Sequence, residues 1–328
     1  MVLHILNTDG ASQMKKILKK LRKRMSLFCF IFFKLIFEYD KLPKFIMKNI
    51  SQAYMIKLHY KNDKKINAEK KEVLDFIDKF GLRQYPYPFD LLRNQTHVEV
   101  FHDNEKNLPY VLHDKKRLYM PLELDDSEIR SIYSCLAFSE QHPKSPHCYL
   151  ANNFTVNETD TVVDIGACEG IFALSVIDMV KNVILIECDP RWQDPLKATF
   201  EPYKSKVEII SKFAGNITNK NMIKLDDLLM RGGGYFIKMD VEGHELQVLS
   251  GGEQILSSAN KSLKLAVAAY HRSSDEKRIG MLLKKHKFSI NHSYGYMIPL
   301  GKNLFTGESF FSPPYLKRGV IYAEKKLD

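Results

Sequence analysis

The chain has 328 residues, 45% of them hydrophobic and 27% charged, with a formal net charge of +10. That composition excludes a disordered or fibrous protein and is enough for one large domain with an accessory region. The charge is uneven: residues 1–71 carry +12 and the remainder −2, so the larger part of the chain is a poor partner for a phosphate backbone.

Residues 1–71 read as a basic helical extension. Met14, Ile17, Leu18, Leu21, Met25 and Phe28 recur at helical spacing, with seven lysines and arginines between them and Ser12 as a candidate cap. The apolar run from Leu27 to Phe37 spans 11 residues and contains Lys34. A spanning helix needs about 20 residues, and Glu38-Tyr-Asp-Lys41 is a poor cleavage site. Two readings stay open for residues 12–37: docking on the folded part of the chain, and peripheral contact with an anionic membrane surface. The cysteines (Cys29, Cys135, Cys148, Cys168, Cys188) form no C-x-x-C pair. That scatter fits a reducing cytosol and a cytoplasmic protein, with the inner membrane surface as the alternative place.

Residues 72–150 read as an accessory segment. A helix runs from Glu72 to Phe80 and stops at Gly81, and Pro86 and Pro88 punctuate a loop. Short strands are expected at 97–102, 110–113 and 117–120, as a small β-meander. Asp125-Asp-Ser127 caps a helix reaching about Glu140. The polar loop Glu140-Gln-His-Pro-Lys-Ser-Pro-His-Cys-Tyr149 follows, and Glu140 and His147 are its candidate substrate contacts.

Residues 151–328 alternate strand and helix, which implies a parallel sheet. Strands are expected near 161–165, 182–187, 206–212, 235–239 and 263–269, with an antiparallel hairpin from 288–298 and 319–324. Thr161-Val-Val-Asp-Ile-Gly-Ala-Cys-Glu-Gly170 followed by Val183-Ile-Leu-Ile-Glu-Cys-Asp189 is strand, glycine loop, helix, strand and acidic end. Gly166 lets a ligand approach the main chain, and Gly170 opens the helix and packs it against the sheet. Glu187 stands where a ribose diol would lie, with Cys188 beside it. Asp164 would repel the phosphates of a dinucleotide but suits the cationic sulfonium and ammonium of S-adenosylmethionine. The dinucleotide fingerprint also needs glycines where this chain has Cys168 and Ile171.

A second motif is Tyr235-Phe-Ile-Lys-Met-Asp-Val-Glu-Gly-His-Glu245, with Lys224-Leu-Asp-Asp-Leu-Leu229 upstream. Together with the glycine loop, these segments resemble the FkbM family of S-adenosylmethionine-dependent methyltransferases over about residues 150–325. The resemblance implies an α/β fold with a Rossmann-like, seven-stranded class I methyltransferase sheet. It also implies O-methylation of hydroxyls on carbohydrates, surface glycans or similar small molecules. Its cofactor contacts would fall on Asp164, Gly166, Ala167, Cys168, Gly170, Glu187, Cys188 and Asp240. The chain departs from the family at Cys168, where many members have Asn, and at Tyr270-His271, where a carboxylate is common. Its third strand lacks the acidic residue that often meets adenine, and Phe213 is expected to stack there instead.

Methyl transfer to an alcohol is helped by a base within hydrogen-bond reach. His271 is the first candidate, Asp240 and Glu242 are the next, and Tyr270 is a further substrate contact. Asp240, Glu242 and His271 also suit a divalent cation, although no compact ligand spacing supports one. Ser312-Pro-Pro-Tyr315 matches a tetrapeptide of amino-methylating DNA enzymes but lies far from the fourth strand, so it reads as a turn. The alternative function is a non-catalytic binding or assembly subunit on the same fold. Nucleic-acid methylation ranks below both.

Overall fold

The computed structural model describes residues 44–63, 66–93, 97–228, 234–258, 262–302 and 307–325. The expected basic amphipathic helix and the apolar run that follows it lie outside these residues, as does Cys29. No helix among the described residues is long and apolar enough to cross a membrane.

The described residues fall into two compact units, one of residues 44–63, 66 and 77–82, the other of residues 67–76 and those from 83 onward. In the first, the helix Lys44–Tyr60 buries Ala53, Ile56 and Tyr60. Lys57 pairs with Asp78 in the same unit.

The second unit holds both the meander and the large sheet. β1 (Phe101–Asp103), β2 (Leu108–His113) and β3 (Lys116–Tyr119) form an antiparallel three-stranded sheet. The first strand starts later than expected. The Val98 carbonyl accepts from Arg130 Nε (3.2 Å), so a side chain takes a bond that a ladder would have used. The meander is not a separate body: Val98, Val111 and Leu118 share one apolar core with Val162, Leu174 and Phe236 of the large sheet domain. The Tyr119 amide also donates to Thr199 Oγ1 at 3.0 Å. Asp125 caps the helix Asp126–Cys135 in a reciprocal capping box with Glu128.

The large sheet comprises β4 (Thr161–Ile165), β5 (Asn182–Ile186), β6 (Val207–Ile210), β9 (Tyr235–Met239), β10 (Leu263–Ala268), β11 (Ser289–His292) and β12 (Val320–Lys325). Its order is β11-β12-β10-β9-β4-β5-β6, and only β12 runs against its neighbours. This is the class I methyltransferase sheet expected from the sequence. The strands are apolar on both faces because each face has its own core. Val162, Leu185 and Phe236 point to one side, and Val163, Ile184 and Ile237 to the other. A short parallel pair, β7 (Phe213–Gly215) and β8 (Met222–Lys224), was not anticipated. Three residues are too few to show a period. The pair carries Phe213 to the rim of the sheet.

Arg318 grips Glu69 with both guanidinium nitrogens, at 2.7 and 3.1 Å, and ties the start of the helix Ala68–Phe80 to the chain entering β12. That hydrogen-bonded guanidinium, against some opposing burial, lowers the Glu69 pKa from its ordinary value. Stability from the pair is therefore complete above the ordinary carboxylate pKa and fades as pH falls through the lowered one. Because the pair is partly exposed, Glu69→Gln is expected to lower unfolding free energy by about 1 kcal/mol at pH 7. The difference should shrink as pH falls below the ordinary carboxylate range in urea titrations of both proteins.

Candidate functional site

A cavity of about 680 Å³ opens at the carboxyl ends of β4, β5 and β9, within the size range of small-molecule sites. Two walls face each other across it.

The first wall is the glycine loop. Gly166 has φ +73°, and its amide donates to the Ile186 carbonyl at 2.9 Å. Ala167, Cys168 and Glu169 continue along the wall. Glu187 ends β5 and is nearly buried, and its two carboxylate oxygens accept from the amides of Cys168 (2.9 Å) and Asp189 (2.7 Å). The two amides take one side of the carboxylate and leave lone pairs for a ligand on the other. Cys188 and Phe213 also line the cavity. Burial, followed by the Glu187 charge, pushes the Cys188 thiol up to about 11, so it stays neutral at ordinary pH. Glu169 was missed in the sequence. Burial lifts it to about 8, and the only sequence signal was a charged residue inside a glycine loop.

The second wall is built by the loop after β9 and the polar loop ahead of β4. Asp240 Oδ2 accepts from the Tyr149 hydroxyl (2.7 Å) and the Tyr270 hydroxyl (3.3 Å) and lies 3.2 Å from His147 Nε2. Burial opposes the Asp240 charge, but the bond from His147 and the nearby charges of His271 and Lys238 hold its carboxyl well below the usual range. Glu140 is set by a π turn, Leu136–Glu140, which interrupts the expected helix and is closed by the Gln141 amide on the Leu136 carbonyl. Its carboxylate lies 3.4 Å from His147 Nδ1 and accepts from the Tyr85 hydroxyl at 3.1 Å. Burial works against charge on His147, yet Glu140 and Asp240 outweigh it and lift the imidazole to about 10. Glu140, His147, Asp240 and Glu242 therefore meet on one wall. Tyr149 belongs with them. It sits in the polar loop already singled out, but nothing in its spacing points to Asp240.

Four expected residues do not line the cavity: Tyr270, which reaches only Asp240, and Asp164, Gly170 and His271. Asp164 does not reach the cavity. Its side chain is sealed beneath the glycine loop and pairs with Lys238 Nζ at 2.9 Å. The reason is register: Asp164 on β4 stands opposite Lys238 on β9, and a buried carboxylate needs a partner. Gly170 caps the helix Ile171–Val176 at φ +79° and packs against Phe200 and Leu196 of the neighbouring helix rather than against the sheet. His271 stands behind the wall. Its side chain has no exposure and lies between Asp240 and Glu245. The Ser312-Pro-Pro-Tyr315 turn approaches the same end of the sheet, where Ser273 donates to the Pro313 carbonyl at 2.7 Å.

Residues 192–290 match the family model described as Methyltransferase FkbM domain. That segment, less than a third of the chain, is similar to the FkbM methyltransferases. Residues 149–224 also match the model described as Ribosomal RNA adenine dimethylase. No curated protein matches. Among solved structures, the methyltransferase FkbM from Methylobacillus flagellatus KT is 21% identical with a TM-score of 0.41, over 61% of this chain and 55% of that one. A dimethyladenosine transferase from Plasmodium falciparum is 13% identical with a TM-score of 0.33, over 52% of this chain and 57% of that one. A precorrin-6y C5,15-methyltransferase from Geobacter metallireducens GS-15 is 12% identical with a TM-score of 0.35, over 52% of this chain and 82% of that one. The chain spans about half the length of the FkbM structure.

Proposed function

We propose that the chain transfers a methyl group from S-adenosylmethionine to a hydroxyl of a carbohydrate or similar small molecule. The observation that carries this reading is a doubly anchored Glu187 carboxylate lining the same cavity as Asp240 and Glu242. The Glu187 carboxylate is placed for the ribose diol, with the Gly166–Cys168 loop alongside the methionine portion. In the reaction the carbon–sulfur bond breaks as the acceptor oxygen bonds the methyl carbon, and the sulfonium becomes a neutral thioether. Glu242 lies on the cavity wall and takes the hydroxyl proton, while Asp240, fixed by two tyrosines and His147, orients the acceptor. The sequence favoured His271 as the base, but its buried position behind Asp240 makes it a support for that wall.

The adenine-dimethylase match favours a nucleic-acid acceptor as a second reading. It covers the cofactor half of the domain and stops before Asp240 and Glu242. The cavity lining holds six carboxylates (Glu140, Glu169, Glu187, Asp189, Asp240, Glu242), of which Glu169 is lifted to about 8, beside Arg191, Lys212, Lys238 and a His147 lifted to about 10. The lining is a mix of both signs rather than the continuous basic surface that a phosphate backbone calls for, and it suits a neutral polyol.

Calorimetric titration with S-adenosylhomocysteine tests the cofactor assignment. The expected result is micromolar affinity, about −8 kcal/mol, with none for NAD. Glu187→Ala should weaken it roughly 10- to 100-fold through lost hydrogen bonds to the ribose and the loop. A folded wild-type chain that ignores S-adenosylhomocysteine would overturn the reading.

A further inference from the structure

Behind the catalytic wall, three side chains from three segments converge. Asp240 opens the loop after β9, Glu245 opens the helix Glu245–Ser250, and His271 follows β10. One donor atom from each lies within 4.8 Å of the others. His271 Nε2 is 3.3 Å from Asp240 Oδ1, and its Nδ1 is 3.1 Å from Glu245 Oε1. Glu242 Oε2 is 3.9 Å from the same Nε2.

The distances are short, yet neither ring nitrogen of His271 makes a hydrogen bond among the described residues. His271 and Glu245 are almost fully buried, and Glu245 Oε2 is also without a hydrogen-bond partner there. Buried groups of this kind call for a specific explanation. The rest of the cluster is well ordered. Asp240 Oδ2 accepts from Tyr149 and Tyr270 and meets His147, while Oδ1, which also accepts from the Tyr270 hydroxyl at 3.5 Å, lies toward His271. Glu245 Oε1 accepts from the amides of Val241 (3.0 Å) and Gly243 (3.3 Å), which fixes the carboxylate. Outer partners that orient the donors in this way are typical of metal ligands.

We propose that Asp240, Glu245 and His271 form a divalent-cation site behind the wall of the cofactor cavity. Metal–oxygen and metal–nitrogen bonds of about 2.0–2.2 Å separate neighbouring ligand atoms by roughly 3 Å; one ring nitrogen of His271 would bind the ion, and because Asp240 meets Nε2 while Glu245 meets Nδ1, one of the two carboxylates would have to swing round to the nitrogen used. Two carboxylates neutralise the ion, and the single imidazole suits manganese, iron or zinc as well as magnesium. Of the three ligands only Asp240 lines the cavity, so the cation would sit behind that wall and hold in place the carboxylate that orients the acceptor. The role given to the ion rests on the methyl-transfer reading; the existence of the site does not.

The test is uptake of Mn²⁺ by the untagged chain after stripping with EDTA, followed by electron paramagnetic resonance and calorimetry. One ion per chain is expected. Asp240→Asn and His271→Gln should each weaken uptake at least tenfold. Glu245→Gln keeps an oxygen for the Val241 and Gly243 amides and should do the same while changing S-adenosylhomocysteine affinity less than threefold. A chain that binds S-adenosylhomocysteine but takes up no Mn²⁺, Mg²⁺ or Zn²⁺ at millimolar concentration overturns the cation site and leaves the cofactor reading standing. Variants that bind Mn²⁺ as the wild type does also overturn it. Uptake of Mn²⁺ with the expected losses, but no affinity for S-adenosylhomocysteine, supports the site while sinking the methyl-transfer reading.

Discussion

Gly166→Ala is expected to abolish S-adenosylhomocysteine binding and to lower unfolding free energy by about 3 kcal/mol or more. Two penalties combine at this position. The backbone sits at φ +73°, where an L side chain is strained by roughly 1–2 kcal/mol. The added Cβ would also lie 1.9 Å from the backbone oxygen of Asp240. A flexible side chain could swing away, but a main-chain carbonyl cannot. The loop has no room to retreat, because the Gly166 amide is bonded to Ile186 O and its carbonyl accepts from Lys238 Nζ at 2.6 Å. Either the glycine loop or the loop bearing Asp240 must move, and both line the cavity. Gly81→Ala supplies the control. Gly81 has φ +84°, and a Cβ added there would meet nothing within 4 Å, so it should lose only the conformational share, about 1 kcal/mol. Urea unfolding of the two variants separates the penalties. Equal losses would show that crowding against Asp240 is not what requires glycine at 166.

The sheet was legible because its strands are long apolar runs separated by helical segments, and because acidic or glycine residues mark the carboxyl ends of β4, β5 and β9. The meander was legible as a set of strands but not as part of the main core, since the contact of Leu118 with the sheet domain has no local signature. Within the site, Glu187, Asp240 and Glu242 could be picked out because each follows a strand that reads clearly. Their partners could not. Tyr149 reaches Asp240 across 91 residues, and Glu140 is aimed by a π turn that helical periodicity does not reveal. Asp164 was assigned to the cofactor from its place at a strand end. The overlooked signal was Lys238, a charge inside an otherwise apolar central strand, Tyr235-Phe-Ile-Lys-Met239. A lysine there must meet a buried anion on a neighbouring strand, and Asp164 was the available one.

That pair yields the second large effect. Asp164 and Lys238 are both almost fully buried, joined at 2.9 Å, and Lys238 also donates to the Gly166 carbonyl. Removing either member leaves an uncompensated charge in a medium that solvates it badly. Asp164→Asn and Lys238→Met should therefore each lower unfolding free energy by about 3–5 kcal/mol. Replacing both, as Asp164→Leu with Lys238→Met, should lose much less than the sum, because the double variant buries no charge at all. The two single variants should differ in ligand affinity. Lys238→Met releases Gly166 and removes a cation that lines the cavity beside Asp240, so S-adenosylhomocysteine binding should weaken along with stability. Asp164→Asn keeps the lysine anchored to the loop, so the surviving folded fraction should bind nearly as the wild type does. The glycine-loop pattern taken alone implies the opposite, with Asp164 meeting the sulfonium or ammonium directly. Affinity lost in Asp164→Asn without a matching loss of stability would restore that direct contact, and would mean that the glycine loop opens far enough on binding to bring a carboxylate now sealed beneath it against the ligand.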